Sequence, residues 1–145
     1  MIQRLRQTYR HLVAEPDESI AWSIAPEYRP IVEALARADR RHALATYAKL
    51  RYAGGDEELC LAGLLHDAAK PRGARLWHRV AAVLAPALGR RIGGATMRAY
   101  LDHATEGARR ARELGLGERV VLLIERHHLT PRTDDEHALA LADRE

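Results

Sequence analysis

The chain contains 145 residues, of which 47% are hydrophobic and 30% charged, and it has a formal net charge of +3 and a single cysteine. These values fit one soluble globular domain with a compact core; they do not indicate disorder, a secretory signal or a membrane span, which needs roughly 18 consecutive apolar residues. The single cysteine, Cys60, is compatible with a reducing cytoplasm. Aromatic residues make up only 5% of the chain, and no basic stripe interleaved with aromatic residues indicates nucleic-acid binding. The modest positive charge is compatible with an anionic, phosphate-bearing substrate.

Hydrophobic periodicity predicts an all-α fold, a single-domain bundle of six or seven helices with no β-sheet. An N-terminal helix and loop occupy residues 1–28, and the core occupies residues 29–145. Prolines and glycines between the segments interrupt the helical pattern. The predicted helices span 2–13, 29–38 with its continuation 40–52, 56–69, 75–84, 96–114, 118–128 and a short last segment that ends in Asp143.

Three local patterns refine this prediction. The residues between Leu59 and Leu65 are all apolar, which is typical of a helix buried on most sides. The run VVLLI at 120–124 could by itself form a strand, but its length and the flanking helical segments favour a helix. Thr133 and Glu136 match a capping box, which predicts the start of the last helix.

His66 and Asp67 directly follow the apolar run and offer a divalent metal one nitrogen and one carboxylate. On a helix, sequence neighbours point about 100° apart, so both residues can bind one ion only if it lies in the sector between their side chains. The carboxylate of Asp67 has two oxygens and could bridge two ions, whereas the imidazole of His66 binds one. Asp67 is therefore the predicted pivot of a binuclear site.

Further candidate ligands lie on other predicted helices: His42, His103, His127, His128 and Asp143. His103 shares a helix face with Gly107, and His127 lies on the side of Ile124, so both are expected in the core. An unpaired imidazole is costly there. A second metal beside Asp67 would accept the imidazole lone pairs.

A mononuclear site is the alternative, and it needs only His42, His66, Asp67 and Asp143. In that case His103 and the pair His127-His128 are ordinary residues. The remaining histidines are interpreted as surface or hydrogen-bonded residues, namely His11, His78 and His137.

The pattern of His42, His66-Asp67 and a late Asp143 resembles the H…HD…D signature of the HD-domain superfamily of metal-dependent phosphohydrolases. The segment AGLLHDAAKP at 62–71 resembles its central motif, including Lys70. The resemblance covers roughly residues 40–143, and the combination of motifs is specific, whereas a His-Asp pair alone is weak.

The resemblance implies an all-helical fold whose first metal is held by His42, His66, Asp67 and Asp143. Two further segments, DHATEGARRARELGL and LIERHH, resemble the extra histidine segments of the binuclear branches. In those branches Asp67 would bridge to a second ion bound through His103 and one or both of His127 and His128.

The chain departs from one branch of this superfamily. The glycine-tyrosine-proline signature of the cyclic-di-nucleotide phosphodiesterases is missing, because LTPRTDDE follows His128. The spacing is closer to small stand-alone bacterial members, in particular the diadenosine tetraphosphate hydrolase-like group, although the segment 76–94 suggests another subgroup.

The expected activity is hydrolysis of a phosphoester or phosphoanhydride bond, of a nucleotide or dinucleotide, by a metal-activated water. Asp67 and Lys70 are the predicted catalytic residues, and Lys70, Arg72 and Arg126 are the predicted phosphate contacts. A solvated cation at a helix end is the alternative role for Lys70. The expected cofactor is two divalent transition-metal ions; iron or manganese is favoured, and zinc, cobalt or nickel also suit imidazole and carboxylate ligands.

Two other functions use nearly the same residues. One is an HD-type di-iron oxygenase, and the other is a non-catalytic HD domain that binds a nucleotide or a protein partner. The expected partner is a small phosphorylated substrate, without membrane or nucleic acid, and the protein is expected in the cytoplasm as a monomer or homodimer.

Overall fold

The computed structural model describes residues 18–71 and 94–144, and every regular element in these two ranges is helical. Two 3₁₀ helices, Glu18–Ser23 and Pro26–Tyr28, precede α1 (Arg29–Glu33), α2 (Arg37–Tyr52), α3 (Glu57–Leu65), α4 (Ala95–Leu101), α5 (His103–Glu113), α6 (Glu118–Arg126) and α7 (Asp134–Arg144). The predicted all-α fold is confirmed, including a helix rather than a strand at 120–124. The predicted helices 2–13 and 75–84 lie outside the described residues. Across the described ranges, no helix has the length and apolar character that crossing a membrane requires.

The apolar helix α3 lies at the centre of the fold and packs against α2, α6 and α7. This central position agrees with the apolar sequence, and every residue from Leu59 to Leu65 except Leu61 is buried. Asp56 caps its N-terminus by accepting a hydrogen bond from the Leu59 N–H at 2.9 Å. Gly63 has no Cβ where α2 approaches, and a Cβ there would lie 2.3 Å from a methyl carbon of Leu50.

Two helix boundaries differ from the prediction in ways that shape the functional site. The predicted helix 56–69 ends at Leu65, and tighter i,i+3 hydrogen bonds replace the helix, from Ala68 N–H to Leu65 and from Lys70 N–H to Asp67. The predicted helix 96–114 is divided at Asp102, whose ψ of 5° departs from helical geometry. His103 consequently begins a new helix.

The predicted continuity of 29–38 into 40–52 is also wrong. Ala36 adopts an extended ψ of 146°, so α1 stops at Glu33 and α2 begins at Arg37. The predicted helix 118–128 ends at Arg126. Each of these boundaries depends on backbone angles that packing decides, which hydrophobic periodicity does not report.

Local sequence signals set the end of α5 and the start of α7. Gly115 adopts a φ of +73°, which a side chain would disfavour, and closes α5. Thr133 accepts a hydrogen bond from the Glu136 N–H at 3.2 Å, as a capping box requires. The reciprocal contact is different, because the Glu136 carboxylate accepts from the Arg132 N–H and not from Thr133. The capping box is therefore formed in one half only.

Candidate metal centre

Seven side chains from five helices and their adjoining turns converge into two clusters that share one carboxylate. In each cluster, the potential ligand atoms lie within 4.8 Å of one another. The first cluster consists of His42, His66, Asp67 and Asp143, and the second of Asp67, His103, His127 and His128.

His66 and Asp67 owe their arrangement to the end of α3. Because the helix stops at Leu65, both residues lie in the following turn and not in the middle of a helix. They are almost completely buried, at 0% and 2% exposure. Neighbouring side chains within a helix point about 100° apart. In this turn, by contrast, the side chains of His66 and Asp67 both reach the same region.

The two carboxylate oxygens of Asp67 face different clusters. Oδ2 lies 3.4 Å from Nε2 of His66 and 3.7 Å from Nε2 of His42. Oδ1 lies 3.1 Å from Nε2 of His103 and 3.6 Å from Nε2 of His127. This division is the geometry expected of a carboxylate between two cations.

The first cluster is closed by the last helix. Oδ1 of Asp143, on α7, lies 2.8 Å from Nε2 of His42 on α2 and 3.2 Å from Nε2 of His66. The buried residues Leu139 and Ala142 hold α7 against the core and turn Asp143 inward. His42 is 16% exposed and Asp143 28%, so this cluster is accessible from solvent on their side.

The second cluster is formed where α5 begins and α6 ends. His103 is the first residue of α5, and His127 and His128 directly follow α6. The Nε2 atoms of His103 and His128 are 3.0 Å apart. Two imidazole nitrogens this close either share a proton or bind a common cation. His128 is the exposed member of the cluster.

Three of the histidines are oriented by the same backbone contact. In each, Nδ1 lies at hydrogen-bonding distance from the carbonyl oxygen three residues earlier, so Nδ1 carries a hydrogen, and in the neutral imidazole Nε2 presents its lone pair to the cluster. The pairs are His66 with Gly63, His103 with Tyr100 and His127 with Ile124. Hydrogen bonds of this kind fix the ring orientation of metal-binding histidines.

Two buried polar atoms at the clusters test whether these residues fit a metal ion. Oδ1 of Asp67 and Nε2 of His127 have no hydrogen-bond partner within residues 18–71 and 94–144. The 3.1 Å approach of His103 to this oxygen lacks the direction of a hydrogen bond. A buried polar atom without a partner costs about 1–3 kcal/mol. The nitrogen and oxygen donors therefore fit divalent transition metals, which would satisfy both atoms.

The electrostatics of the first cluster favour ionised carboxylates. Burial alone would raise the pKa of Asp67, but the Lys70 ammonium and His66 outweigh it and hold this pKa well below its usual range. Burial also opposes ionisation of Asp143, yet hydrogen bonds from His42 and His66 lower its pKa. Burial alone would lower the pKa of His66, whereas the two carboxylates raise it to about 10. In the metal-free protein, the proton on His66 and the ammonium of Lys70 therefore offset the negative charge of these two carboxylates.

The second cluster favours neutral imidazoles. Although His128 as a whole residue is exposed, its ring packs against His103 and His127. Desolvation of the ring, reinforced by these two imidazoles, lowers the pKa of His128 to about 3. Burial is likewise the main cause that lowers the pKa of His127. A neutral imidazole is the form that binds a metal.

Lys70 lies directly beside the clusters. Its ammonium forms an ion pair with Oδ2 of Asp67, and its side chain is only 11% exposed. It is therefore not the solvated cation of the alternative interpretation. The Tyr100 ring lies 5.8 Å from its Nζ, a contact that sequence reasoning did not predict.

Of the arginines predicted to contact phosphate and the histidines outside the clusters, the structure describes Arg126 and His137. Arg126 donates from Nε to Oε1 of Glu136 at 2.7 Å and links α6 to α7. Its Nη2 is buried and lacks a partner among the described residues. His137 is exposed on α7. Arg72, His11 and His78 lie outside the described residues.

Asp39 was missed by sequence reasoning. It is 7% exposed on α2 and lines a cleft together with Lys70. The available signal was its spacing, because Asp39 lies three residues before His42 and thus on the same helix face.

Comparison with known proteins gives one match. A family model described as HD domain matches residues 39–145, most of the chain. No curated protein and no solved structure matches it.

Proposed function

Because this chain belongs to the HD-domain family, we propose that it is a metal-dependent phosphohydrolase that cleaves a phosphoester or phosphoanhydride bond of a nucleotide or dinucleotide. Most members of this family are metal-dependent phosphohydrolases. The observation that carries the proposal is the division of the Asp67 carboxylate, with one oxygen toward each of two clusters of buried ligands. Hydrolysis of phosphate esters commonly uses such paired metal sites.

The ligand sets follow from the two clusters. His42, His66, Asp67 and Asp143 would hold one ion, and Asp67, His103 and His127 the other, with His128 as a further ligand or a pocket residue. When bound, two divalent ions supply a water of lowered pKa and offset the negative charge of the phosphoryl group. Neither cluster contains a thiolate, which excludes a cysteine-bound zinc site. The imidazole and carboxylate ligands suit iron or manganese, which we favour, and also zinc, cobalt or nickel.

The protein's own groups position the substrate. The carbonyl-bound histidines keep their Nε2 atoms directed at the clusters. Lys70 brings an ammonium to the edge of the first cluster, where it can hold a phosphate oxygen. The partly exposed His42 and Asp143 mark the side from which substrate enters.

Arg126 is a second candidate phosphate contact. Its Nε is engaged by Glu136, but its Nη2 has no partner among the residues described. A guanidinium that a carboxylate orients through one nitrogen can donate hydrogen bonds from its other nitrogens to an anion. Arg72 remains a prediction from the sequence alone.

The experiment is a metal and substrate screen on the full chain. Metal is removed with a chelator, and the protein is reloaded separately with Fe(II), Mn(II), Zn(II), Co(II) or Ni(II). Phosphate release is then measured from bis-(p-nitrophenyl) phosphate, p-nitrophenyl phosphate, nucleotides and dinucleotides. Release that requires metal and disappears in Asp67→Asn is expected. Asp135→Asn, which changes a partly buried carboxylate paired with Arg119 outside both clusters, is the matched control.

Three results would contradict the proposed phosphohydrolase function. A protein that binds two ions per chain but releases no phosphate from any of these compounds contradicts the proposal. Oxygen consumption by the ferrous protein without phosphate release would identify the di-iron oxygenase, whose ligands are the same kinds of residue. Binding of a nucleotide without turnover in any metal form would identify a non-catalytic domain.

A further inference from the structure

His127 and His128 occupy the two central positions of a tight turn that follows α6. The Leu129 N–H donates to the Arg126 carbonyl at 2.8 Å and closes this turn, which is called the histidine turn below. The ring of His127 is oriented by the carbonyl of Ile124, which lies within α6. The ring of His128 packs against the other imidazoles of the second cluster. The place of both rings therefore depends on the backbone of the histidine turn.

Glu136, on α7, binds the chain on both sides of the histidine turn. Its Oε1 accepts a hydrogen bond from Nε of Arg126, the first residue of the turn, at 2.7 Å. Its Oε2 accepts from the backbone N–H of Arg132 at 2.6 Å, just beyond the turn. The Glu136 side chain is only 13% exposed, and hydrogen bonds to an ionised carboxylate are stronger than neutral ones. One carboxylate thus fixes both ends of the segment 126–132.

Glu136 is itself held in place by the start of α7. Its backbone N–H donates to the Thr133 hydroxyl at 3.2 Å, and the buried residues Leu139 and Ala142 pack α7 against the core. The same helix carries Asp143, which belongs to the first cluster. Through Glu136, the histidine turn of the second cluster is therefore fixed to the helix that completes the first.

A second arginine–carboxylate pair joins the same two helices away from the clusters. Nε of Arg119, near the start of α6, donates to Oδ2 of Asp135 at 2.8 Å. Arg119 also donates to Asp56, and all three residues lie outside both clusters. The two pairs make the same kind of link between α6 and α7, but the Glu136 pair alone involves a residue of the histidine turn. Comparing them separates helix packing from positioning of the turn.

We propose that Glu136 is a positioning residue of the second metal site, which keeps His127 and His128 where they and Asp67 can bind one ion. The inference rests on the two-ion centre of the proposed function and concerns how that centre is assembled. Without the carboxylate, the histidine turn would have to be ordered when the ion binds, and this ordering lowers affinity. Residues beyond the direct ligands commonly affect metal affinity in this way.

The test is titration of the full chain with Co(II) after removal of metal with a chelator. Calorimetry measures the affinity of each site, and the visible absorption of Co(II) reports its coordination. We expect Glu136→Ala to weaken the ion of the second cluster by about tenfold or more and to change its absorption spectrum, with the first cluster nearly unaffected. Asp135→Ala, the matched control, should leave both affinities and the spectrum as in the wild type.

His103→Ala identifies which ion is affected. Because this variant already disrupts the second cluster, adding Glu136→Ala to it should not weaken the remaining ion further. Glu136→Gln keeps the shape of the side chain but not its charge, and its expected decrease in affinity at the second cluster is smaller, about threefold. This milder variant provides the answer if Glu136→Ala does not fold.

A purely structural role predicts a different result. Melting of the metal-free protein would then fall in both Glu136→Ala and Asp135→Ala, and any loss of affinity would be equal at the two clusters or persist in His103→Ala. Each of these outcomes, or wild-type affinity in both Glu136 variants, would overturn the inference. A wild-type chain that binds fewer than two Co(II) ions would overturn it as well. Two bound ions without phosphate release from any compound would reject the proposed function and leave the role of Glu136 intact.

Discussion

Nε2 of His42 lies 2.8 Å from Oδ1 of Asp143, although 101 positions separate the two residues in the sequence. The contact joins α2 to the last turn of α7. Lys49, two turns further along α2, donates a hydrogen bond to the carbonyl of Ala142 at 3.2 Å and holds the same turn in place. The C-terminal helix is therefore part of the candidate metal centre.

Asp143→Ala is expected to weaken the first metal site selectively. His42 and His66 lose their common carboxylate, whereas the second cluster keeps all its members. We expect native mass spectrometry to show one tightly held ion per chain in the variant and two in the wild type. Two ions held with wild-type affinity would remove Asp143 from the ligand set. Asp134→Ala, which changes the exposed first residue of α7, is the control.

Asp67→Asn is expected to lower occupancy of both sites, because its two oxygens face separate clusters. His103→Ala, by comparison, should affect the second site only. Elemental analysis after gel filtration would show fewer than one ion per chain in Asp67→Asn and about one in His103→Ala. Phosphate release should fall by about 10²-fold or more in Asp67→Asn. An unchanged count of two ions in Asp67→Asn would contradict the bridging assignment.

Lys70→Met is expected to separate metal binding from activity. The ammonium neutralises Oδ2 of Asp67, so its removal leaves this oxygen freer to bind a cation. Metal affinity should stay equal or increase, while kcat/KM for phosphate release decreases by about tenfold or more because a charged hydrogen bond to phosphate is lost. Isothermal titration calorimetry and initial rates test the two effects. Reduced metal content in the variant would instead indicate that Lys70 supports the site structurally.

Metal affinity is expected to increase with pH. In the metal-free protein, the carboxylates raise the pKa of His66 from its ordinary 6.5 to about 10, despite burial, which acts in the opposite direction. That proton stabilises the metal-free fold below pH 6.5, and this stabilisation is lost as pH rises toward 10. A bound ion must displace the proton, so affinity should rise about tenfold per pH unit for each proton released in this window.

The measurement is the increase in melting temperature on metal addition at several pH values between 6.5 and 9. We expect a larger increase at the higher pH, and melting of the metal-free protein over the same range provides the baseline. An increase that does not change with pH would show that no ligand proton is displaced.

Gly63→Ala is expected to destabilise the fold by about 1–3 kcal/mol, as overpacking of a core usually does. The new Cβ would lie 2.3 Å from a Leu50 methyl carbon at the contact between α3 and α2. Urea unfolding measures the change in the free energy of unfolding. In a Leu50→Ala background the clash is absent, so the cost of Gly63→Ala should largely disappear. The same cost in both backgrounds would show that the contact is not responsible.

Local sequence patterns determined the fold class and the candidate ligands. The apolar run of α3 and the 3.6-residue periodicity of α6 predict helices, since burial of one face is encoded within a few neighbouring residues. His66-Asp67 at the end of the apolar run identified the metal motif. These signals are local, and the sequence displays them directly.

Packing between distant helices decided the arrangement of the site. The early end of α3 at Leu65, the break at Asp102 and the separate directions of the two Asp67 oxygens all depend on contacts with other helices. Asp39 likewise became a cleft residue only when α2 came to lie beside Lys70. Periodicity tells which face of a helix is buried, but the direction of a side chain atom depends on tertiary contacts formed by residues up to 101 positions away.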